Sequence, residues 1–245
     1  MEYRYEAADR SFGDFASGRV LYNARGTTSF PVRLASEIAQ RCFAILRSRG
    51  HDGPYEVYDP CCGGAYLLAS VGLLHGERIA GIYASDIDPE ALRTAERNLS
   101  LLTADGLDAR EAQLRELYAQ YGKASHAEAL ASVGRLRSYA ARSRVGSTAV
   151  FRSDISAAPP PGLLPDGGVH LVMADLPYGG LVDWGGDAED PIRDWFGRAH
   201  AVLNRPHGVA AVIADKGPRL RDDRFARVEH FRIGKRQVAI AVPIG

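Results

Sequence analysis

The sequence predicts an α/β fold, a mostly parallel sheet of seven strands closed by a C-terminal antiparallel hairpin, with a helical hairpin inserted into it. Three observations predict this. Strand-like and helix-like hydrophobic patterns alternate along most of the chain, as in a sheet layered between helices. Acids stand at or just past the ends of three strands, at Asp59, Asp86 and Asp175. The rhythm breaks once, over 107–145, where two helical patterns flank Gly122, a stretch too long for a simple connection.

The elements follow in order. Pro31 suits a first helical turn, and Ala35, Ala39, Cys42, Phe43 and Leu46 recur at helical spacing, so 31–49 reads as an amphipathic helix. Tyr55–Asp59 is a short strand, followed by a helix through Leu67, Leu68 and Val71. Arg78–Ser85 is the second strand, and Pro89 opens a helix carrying Leu92, Ala95, Leu99 and Leu102. In the insertion, Leu114, Leu117 and Tyr121 share one face, and Leu130, Val133, Leu136 and Tyr139 another. Thr148–Arg152, Val169–Ala174 and Gly208–Ala214 are strands, with a helix over Asp190–Leu203 before the last. Arg227–Ile233 and Arg236–Pro243 form a hairpin around Gly234-Lys235. The expected organisation is one domain over 1–245, with a helical N-terminal extension over 1–54.

Composition bounds the function. With 245 residues, 46% hydrophobic and 24% charged, the chain suits an ordinary globular core. Its longest apolar stretch, Ala65 to Leu74, is far short of the ~20 residues a membrane crossing needs. MEYRYEAADR has no apolar signal core, and Cys42, Cys61 and Cys62 form no disulfide framework or zinc spacing, so a reducing cytoplasm and no metal are expected. Net charge is zero but unevenly spread: Lys216 to Arg236 holds eight Lys/Arg against three Asp/Glu. Such a patch is either a solvated face or a surface for a polyanion.

Three motifs carry chemistry. Asp59-Pro60-Cys61-Cys62-Gly63-Gly64-Ala65 is a strand-to-helix turn whose glycines let a ligand approach the backbone, or simply make the turn. It lacks the G-x-G-x-x-G spacing of a nicotinamide site. Gly81-Ile-Tyr-Ala-Ser-Asp86-Ile-Asp88-Pro89 offers Asp86 to the hydroxyls of a ribose, while Asp88 before Pro89 reads as a helix cap. Asp175-Leu176-Pro177-Tyr178-Gly179 follows a buried strand: an acid to accept from a base edge, a proline to fix carbonyls and a ring to stack.

In this order the motifs resemble those of the class I S-adenosylmethionine-dependent methyltransferases, with DPCCGG as cofactor loop, GIYASD as ribose motif and DLPYG as the (Asp/Asn)-Pro-Pro-Tyr motif. The resemblance implies a Rossmann-like fold and S-adenosyl-L-methionine held by Asp59, Cys62, Gly63, Gly64, Asp86, Asp154 and Asp175, with Asp154 beside the adenine. It implies catalysis by Asp175, Pro177 and Tyr178. The whole chain, insertion included, resembles the avilamycin-resistance rRNA methyltransferases, which implies methylation of a guanine nitrogen in 23S rRNA, N1 favoured over N2, and antibiotic resistance. Two positions depart from the pattern: Ala65 stands for a glycine, and Leu176 for a proline, which restores an N–H and is expected to loosen that loop.

For the RNA, Arg135, Arg137, Arg142 and Arg144 on the insertion, Lys235 and Arg236 on the terminal hairpin, and Arg25 are candidate phosphate contacts or plain surface charges. Cys61 and Cys62 lie in the loop, away from the expected base, and read as packing residues rather than nucleophiles. An amine methyltransferase acting on DNA or protein glutamine, a non-catalytic RNA-binding module and a nicotinamide oxidoreductase are the competing readings.

Overall fold

The computed structural model describes residues 3–23, 29–176, 190–215, 217 and 219–244. Its centre is a seven-stranded sheet of order β3-β2-β1-β4-β5-β7-β6, built from β1 (Tyr55–Asp59), β2 (Ile79–Asp86), β3 (Ser147–Arg152), β4 (Leu171–Asp175), β5 (Val209–Asp215), β6 (Phe225–Ile233) and β7 (Arg236–Pro243). The first five strands pair in parallel, and β7 pairs antiparallel with both β5 and β6. The chain builds outward from β1 to β3, then returns to place β4 against the other side of β1. That reversal opens a crevice beyond the strand ends, the position where open α/β sheets take ligands.

Both faces of the central strands are buried, which is why β4 and β5 read as near-continuous apolar runs, while the edge strands β3 and β6 are largely exposed. Leu171 and Met173 of β4, with Val209, Ala211 and Ile213 of β5, face one core; Val172 and Ala174, with Ala210 and Val212, face the other. The first core is covered by α1 (Val32–Ser48), α2 (Tyr66–His75) and α3 (Pro89–Ser100), and the second by α6 (Pro191–Val202) through Trp195 and Phe196. The α2 segment is apolar all round because Leu67 to Leu73 is buried without a break.

The helix caps are local chemistry. Asp88 accepts from Glu90 N at 2.8 Å ahead of Pro89, as its position before a proline implied. Asp190 does the same for α6 through Arg193 N. The inserted hairpin is α4 (Ala104–Tyr121) and α5 (Ala124–Ala140). It starts a few residues earlier than the pattern suggested, because Thr103 caps it by accepting from Gly106 N at 3.1 Å. Gly122, with φ +60°, ends α4 in the left-handed turn that glycine adopts most readily. The α5 helix packs against α4, α2 and a short 3-10 turn at Gly13–Phe15.

Three expectations shift. Among the described residues of 1–54, only Val32–Ser48 is α-helix. The segment before it is irregular because the buried Glu37 carboxylate, rather than a helical carbonyl, accepts the N–H groups of Arg4, Tyr5 and Glu6. The β4 ladder runs to Asp175, which pairs opposite Ile213, while Val169 makes only an isolated bridge to Leu203. And β6 begins at Phe225, ahead of Arg227, because a register irregularity between Arg227 and Glu229 breaks its alternation. Among the described residues no helix is long and apolar enough to cross a membrane.

Candidate active site at the strand ends

Three adjacent strands, β2, β1 and β4, each end on an aspartate: Asp86, Asp59 and Asp175. Asp59 is buried, and its carboxylate accepts from Cys61 N at 2.9 Å. Burial pushes its carboxyl well above the usual range against that hydrogen bond, and the charges of Asp86 and Asp175 push it further. Asp86 accepts from Gly63 N at 2.8 Å through one oxygen and from Asp88 N at 3.0 Å through the other.

The loop between β1 and α2 is held from several sides. Cys62 N donates to Ser85 O at 2.9 Å, and Ala65 N to Cys62 O at 2.7 Å. Gly63 has φ +50°, and a Cβ there would meet nothing within 4 Å, so the loop backbone faces open space. Ala65 itself adopts φ +53°, so the turn is left-handed where the related motif has glycine. No side chain caps α2 at that position. The thiols of Cys61 and Cys62 are both pushed well up, first by burial and then by Asp59 and Asp86. They are protonated, packed thiols, unsuited to nucleophilic attack.

Asp154 follows β3. Its carboxylate accepts from Ser156 N and Oγ at 2.8 and 2.7 Å, bonds that hold it below the usual carboxylate range. The loop carrying it is anchored by the buried Arg198, which donates to Asp154 O at 2.5 Å and to Ser153 Oγ at 3.2 Å.

Asp175 is partly open to the crevice. Burial raises its carboxyl, the nearby Arg236 lowers it, and Asp215 adds an upward push; the balance is a raised value. Arg236 Nη2 stands 3.5 Å from Asp175 Oδ2, and the Arg236 guanidinium lies 5.1 Å from the centre of the Phe30 ring. The restored N–H of Leu176 donates to Ile213 O at 3.0 Å and extends the sheet by one bond; the loop it was expected to loosen lies outside the described residues. Pro177, Tyr178 and Arg25 lie outside the described residues.

The structure thus gathers Asp59, Cys62, Gly63, Gly64, Asp86 and Asp175 around the end of β1, adds Arg236, and sets Asp154 on the β3 side. The remaining arginines divide. Arg135 pairs with Asp14 at 2.6 Å, and Arg137 with Asp108 and Glu111 at 2.5 and 2.6 Å, so these two brace the inserted hairpin. Arg142 is exposed beside the Tyr139 ring, and Arg144 and Lys235 are exposed. Sequence reasoning missed Arg198 and Asn98. Asn98 is fully buried, accepts from Tyr22 N and donates to Tyr22 O and Gly64 O, the last at 2.7 Å. The available signal was an amide inside the apolar stripe of Leu92, Ala95 and Leu99. Among the described residues no group of His, Cys, Asp or Glu could hold a metal ion.

A cationic nucleoside suits this arrangement: crowded carboxylates, an Asp beside the loop, and a glycine backbone facing open space. Comparisons with known proteins agree with the fold. A curated 23S rRNA (guanine(2535)-N(1))-methyltransferase of Streptomyces viridochromogenes is 36% identical over 245 residues, covering 97% of this chain and 94% of that protein. The solved rRNA methyltransferase aviRa from the same organism is 34% identical with a TM-score of 0.87, covering 98% of this chain and 96% of that one. TrmN from Thermus thermophilus, at 18% identity and a TM-score of 0.50 over 89% of this chain and 50% of its own, shares the fold alone. The family model described as rRNA methyltransferase AviRa matches residues 1–236, and this chain therefore belongs to the AviRa family of rRNA methyltransferases.

Proposed function

We propose that this chain methylates N1 of a guanine in 23S rRNA, with S-adenosyl-L-methionine as methyl donor, in the cytoplasm. The observation that carries the reading is the run of Asp86, Asp59 and Asp175 at the ends of three adjacent strands: Asp86 and the buried Asp59 beside a glycine loop, and Asp175 next to them, with proton affinity raised at both Asp59 and Asp175. The 36% identity to a guanine-N1 enzyme supports the choice of nitrogen.

Asp86 would accept from the ribose hydroxyls, using lone pairs left over from Gly63 N and Asp88 N. The loop of Cys62, Gly63 and Gly64, with Asp59 beneath it, would hold the amino-acid end, and Asp154 the adenine side. Bound there, the cofactor supplies a methyl group on a positively charged sulfur. The protein's part is mostly alignment, and holding two reactants in line is worth ~7–11 kcal/mol of barrier. Asp175 would accept the N1 proton of guanine, and its raised proton affinity makes it a stronger base than an exposed aspartate. Pro177 and Tyr178 are proposed to grip and stack the base. A paired guanine cannot reach the crevice, so the substrate base is flipped or lies in a loop. Exposed Arg142, Arg144 and Lys235 are the proposed phosphate contacts, and Arg25 is a further candidate from the sequence. Arg135 and Arg137 reach RNA only by giving up their ion pairs.

The test is methyl transfer from labelled cofactor to purified 23S rRNA, followed by nucleoside digestion and mass analysis. The expected product is 1-methylguanosine, absent with Asp175→Ala. N2-methylguanosine would refute the choice of nitrogen. Label appearing only in DNA or protein would refute the substrate. Cofactor affinity without transfer to any of these would favour a binding module. An avilamycin-sensitive host carrying the active gene should gain resistance, and one carrying Asp175→Ala should not.

A further inference from the structure

Arg236 opens β7 and sits opposite Asp215 in the ladder with β5, at the same end of the sheet as Asp175. Its guanidinium meets Asp175 at 3.5 Å and rests on the Phe30 ring. The two side chains are 25% and 29% exposed, so both still face the crevice. A guanidinium carries five N–H donors in a planar fork. The pair therefore offers a fixed acceptor beside fixed donors, at the place where a base edge must enter.

Guanine presents the complement. Along its Watson–Crick edge the O6 acceptor stands next to the N1–H donor. Adenine presents the opposite order, an amino donor next to a bare N1 acceptor. Resting on the reading of Asp175 above, we propose that Arg236 selects guanine, donating to O6 while Asp175 accepts from N1–H, and stabilises the charge that O6 takes up during transfer.

The proton and electron balance is closed. The N1 proton passes to the Asp175 carboxylate, and the negative charge left on the base spreads onto O6 beside the guanidinium. The N1 electron pair forms the bond to the methyl carbon as the methyl–sulfur bond breaks, its electrons staying on sulfur. O6 returns to a neutral carbonyl, and Asp175 gives its proton to water. The reaction releases one proton and needs no further reactant. Adenine would set its amino hydrogens against the guanidinium and its N1 lone pair against the carboxylate. Sites built to pair with polar groups reject such mismatches strongly.

Among the described residues, the charges acting on Asp175 are Arg236 from β7 and Asp215 from β5. Of these only Arg236 is a cation, and its loss lets the carboxyl rise further. It also makes the N1 proton harder to remove. Both effects move the rising limb of the rate profile to higher pH.

The experiment compares wild type, Arg236→Gln and Arg236→Lys. It measures single-turnover methylation of 23S rRNA from pH 6 to pH 9, filter-binding affinity at several salt concentrations, and urea unfolding. Removing one preorganised donor at a developing oxyanion costs ~10²–10³-fold in rate, and that loss is expected for Arg236→Gln. RNA affinity should change less than threefold, and the profile should move to higher pH. Arg236→Lys, which keeps the charge, should recover at least tenfold. An unchanged rate with weaker RNA binding and a salt slope lower by about one would overturn the proposal, making Arg236 a phosphate contact. A loss of rate with no pH displacement and no recovery by lysine would also overturn it, leaving only a structural role. If wild type itself makes no methylguanosine, the failure belongs to the proposed function and not to Arg236.

Discussion

The Gly63 N–H donates to the Asp86 carboxylate at 2.8 Å, which ties the loop after β1 to the end of β2. One residue therefore shapes the loop backbone, and its remaining lone pairs are those proposed above to meet a ribose. Asp86→Ala should lower cofactor affinity by more than the loss of a ribose contact alone. Hydrogen bonds to a charged group are worth ~1.5–3 kcal/mol, about a ten- to hundredfold weakening. Isothermal titration with S-adenosyl-L-methionine measures it, and Asp86→Asn should fall between the two. Unchanged affinity in Asp86→Ala would remove Asp86 from the site.

Asn98 joins the N-terminal segment to the same loop by bonding Tyr22 on both backbone groups and Gly64 on its carbonyl. Asn98→Asp replaces a donor by a charge facing two carbonyl oxygens, so it should destabilise more than Asn98→Ala. Leaving buried backbone groups unpaired costs ~1–3 kcal/mol each, so several kcal/mol is expected for Asn98→Asp. Urea midpoints check this, and cofactor affinity should fall in parallel, because Gly64 loses its tether.

Arg41 lies buried between Glu37 at 2.6 Å and Glu229 at 2.5 Å, joining α1 to β6. Burial pushes the Glu37 carboxyl up, but the N–H groups of Glu6, Arg4 and Tyr5, with Arg41, outweigh it and hold it below its usual value. Glu37 therefore stabilises the fold above the ordinary carboxylate range, and that contribution is lost as pH falls through its lowered value. Breaking a buried pair by removing one partner costs ~3–5 kcal/mol, the loss expected for Arg41→Met. Glu37→Gln should also flatten the acid limb of stability, and an acid limb identical to wild type would refute this role.

His170 and His75 are both depressed to about 4. For His170 the causes are burial, then His51, whose ring stacks on it with centres 4.0 Å apart, and His207, which stacks on His51 at 5.6 Å. For His75 they are burial, then Arg10 and Arg78. His170 Nδ1 also accepts from Glu56 N at 3.0 Å, a bond only the neutral ring can make. The unfolded chain binds protons near pH 6.5 that the folded chain refuses, so stability should fall from pH 6.5 toward pH 4 and level off below. His75, largely buried and depressed from 6.5 to about 4, should contribute ~3 kcal/mol of that fall. The gap between urea midpoints at pH 7 and pH 5 should narrow in His75→Gln, with His170 keeping the rest, and a gap as wide as wild type would count against it.

The alternation of patterns, the cap at Asp88 and the acids at strand ends were all legible in the sequence, because each depends on residues within a few positions of one another. Apolar period and cap chemistry are local, and a strand-end acid in a parallel sheet lands at the crevice whatever its neighbours do. The motif order then sufficed to bring the loop after β1, Asp86 and Asp175 to one edge of the sheet. The fate of each charge was decided only by the tertiary structure. Arg135 and Arg137 look as free in sequence as Arg144, yet Asp14, Asp108 and Glu111 engage them. Leu176 donates into the sheet because β5 runs beside it, and Arg236 reaches Asp175 because β7 inserts antiparallel next to β5. Those partners lie tens of residues away or more, and strand register, which no local pattern encodes, determines which of them meet.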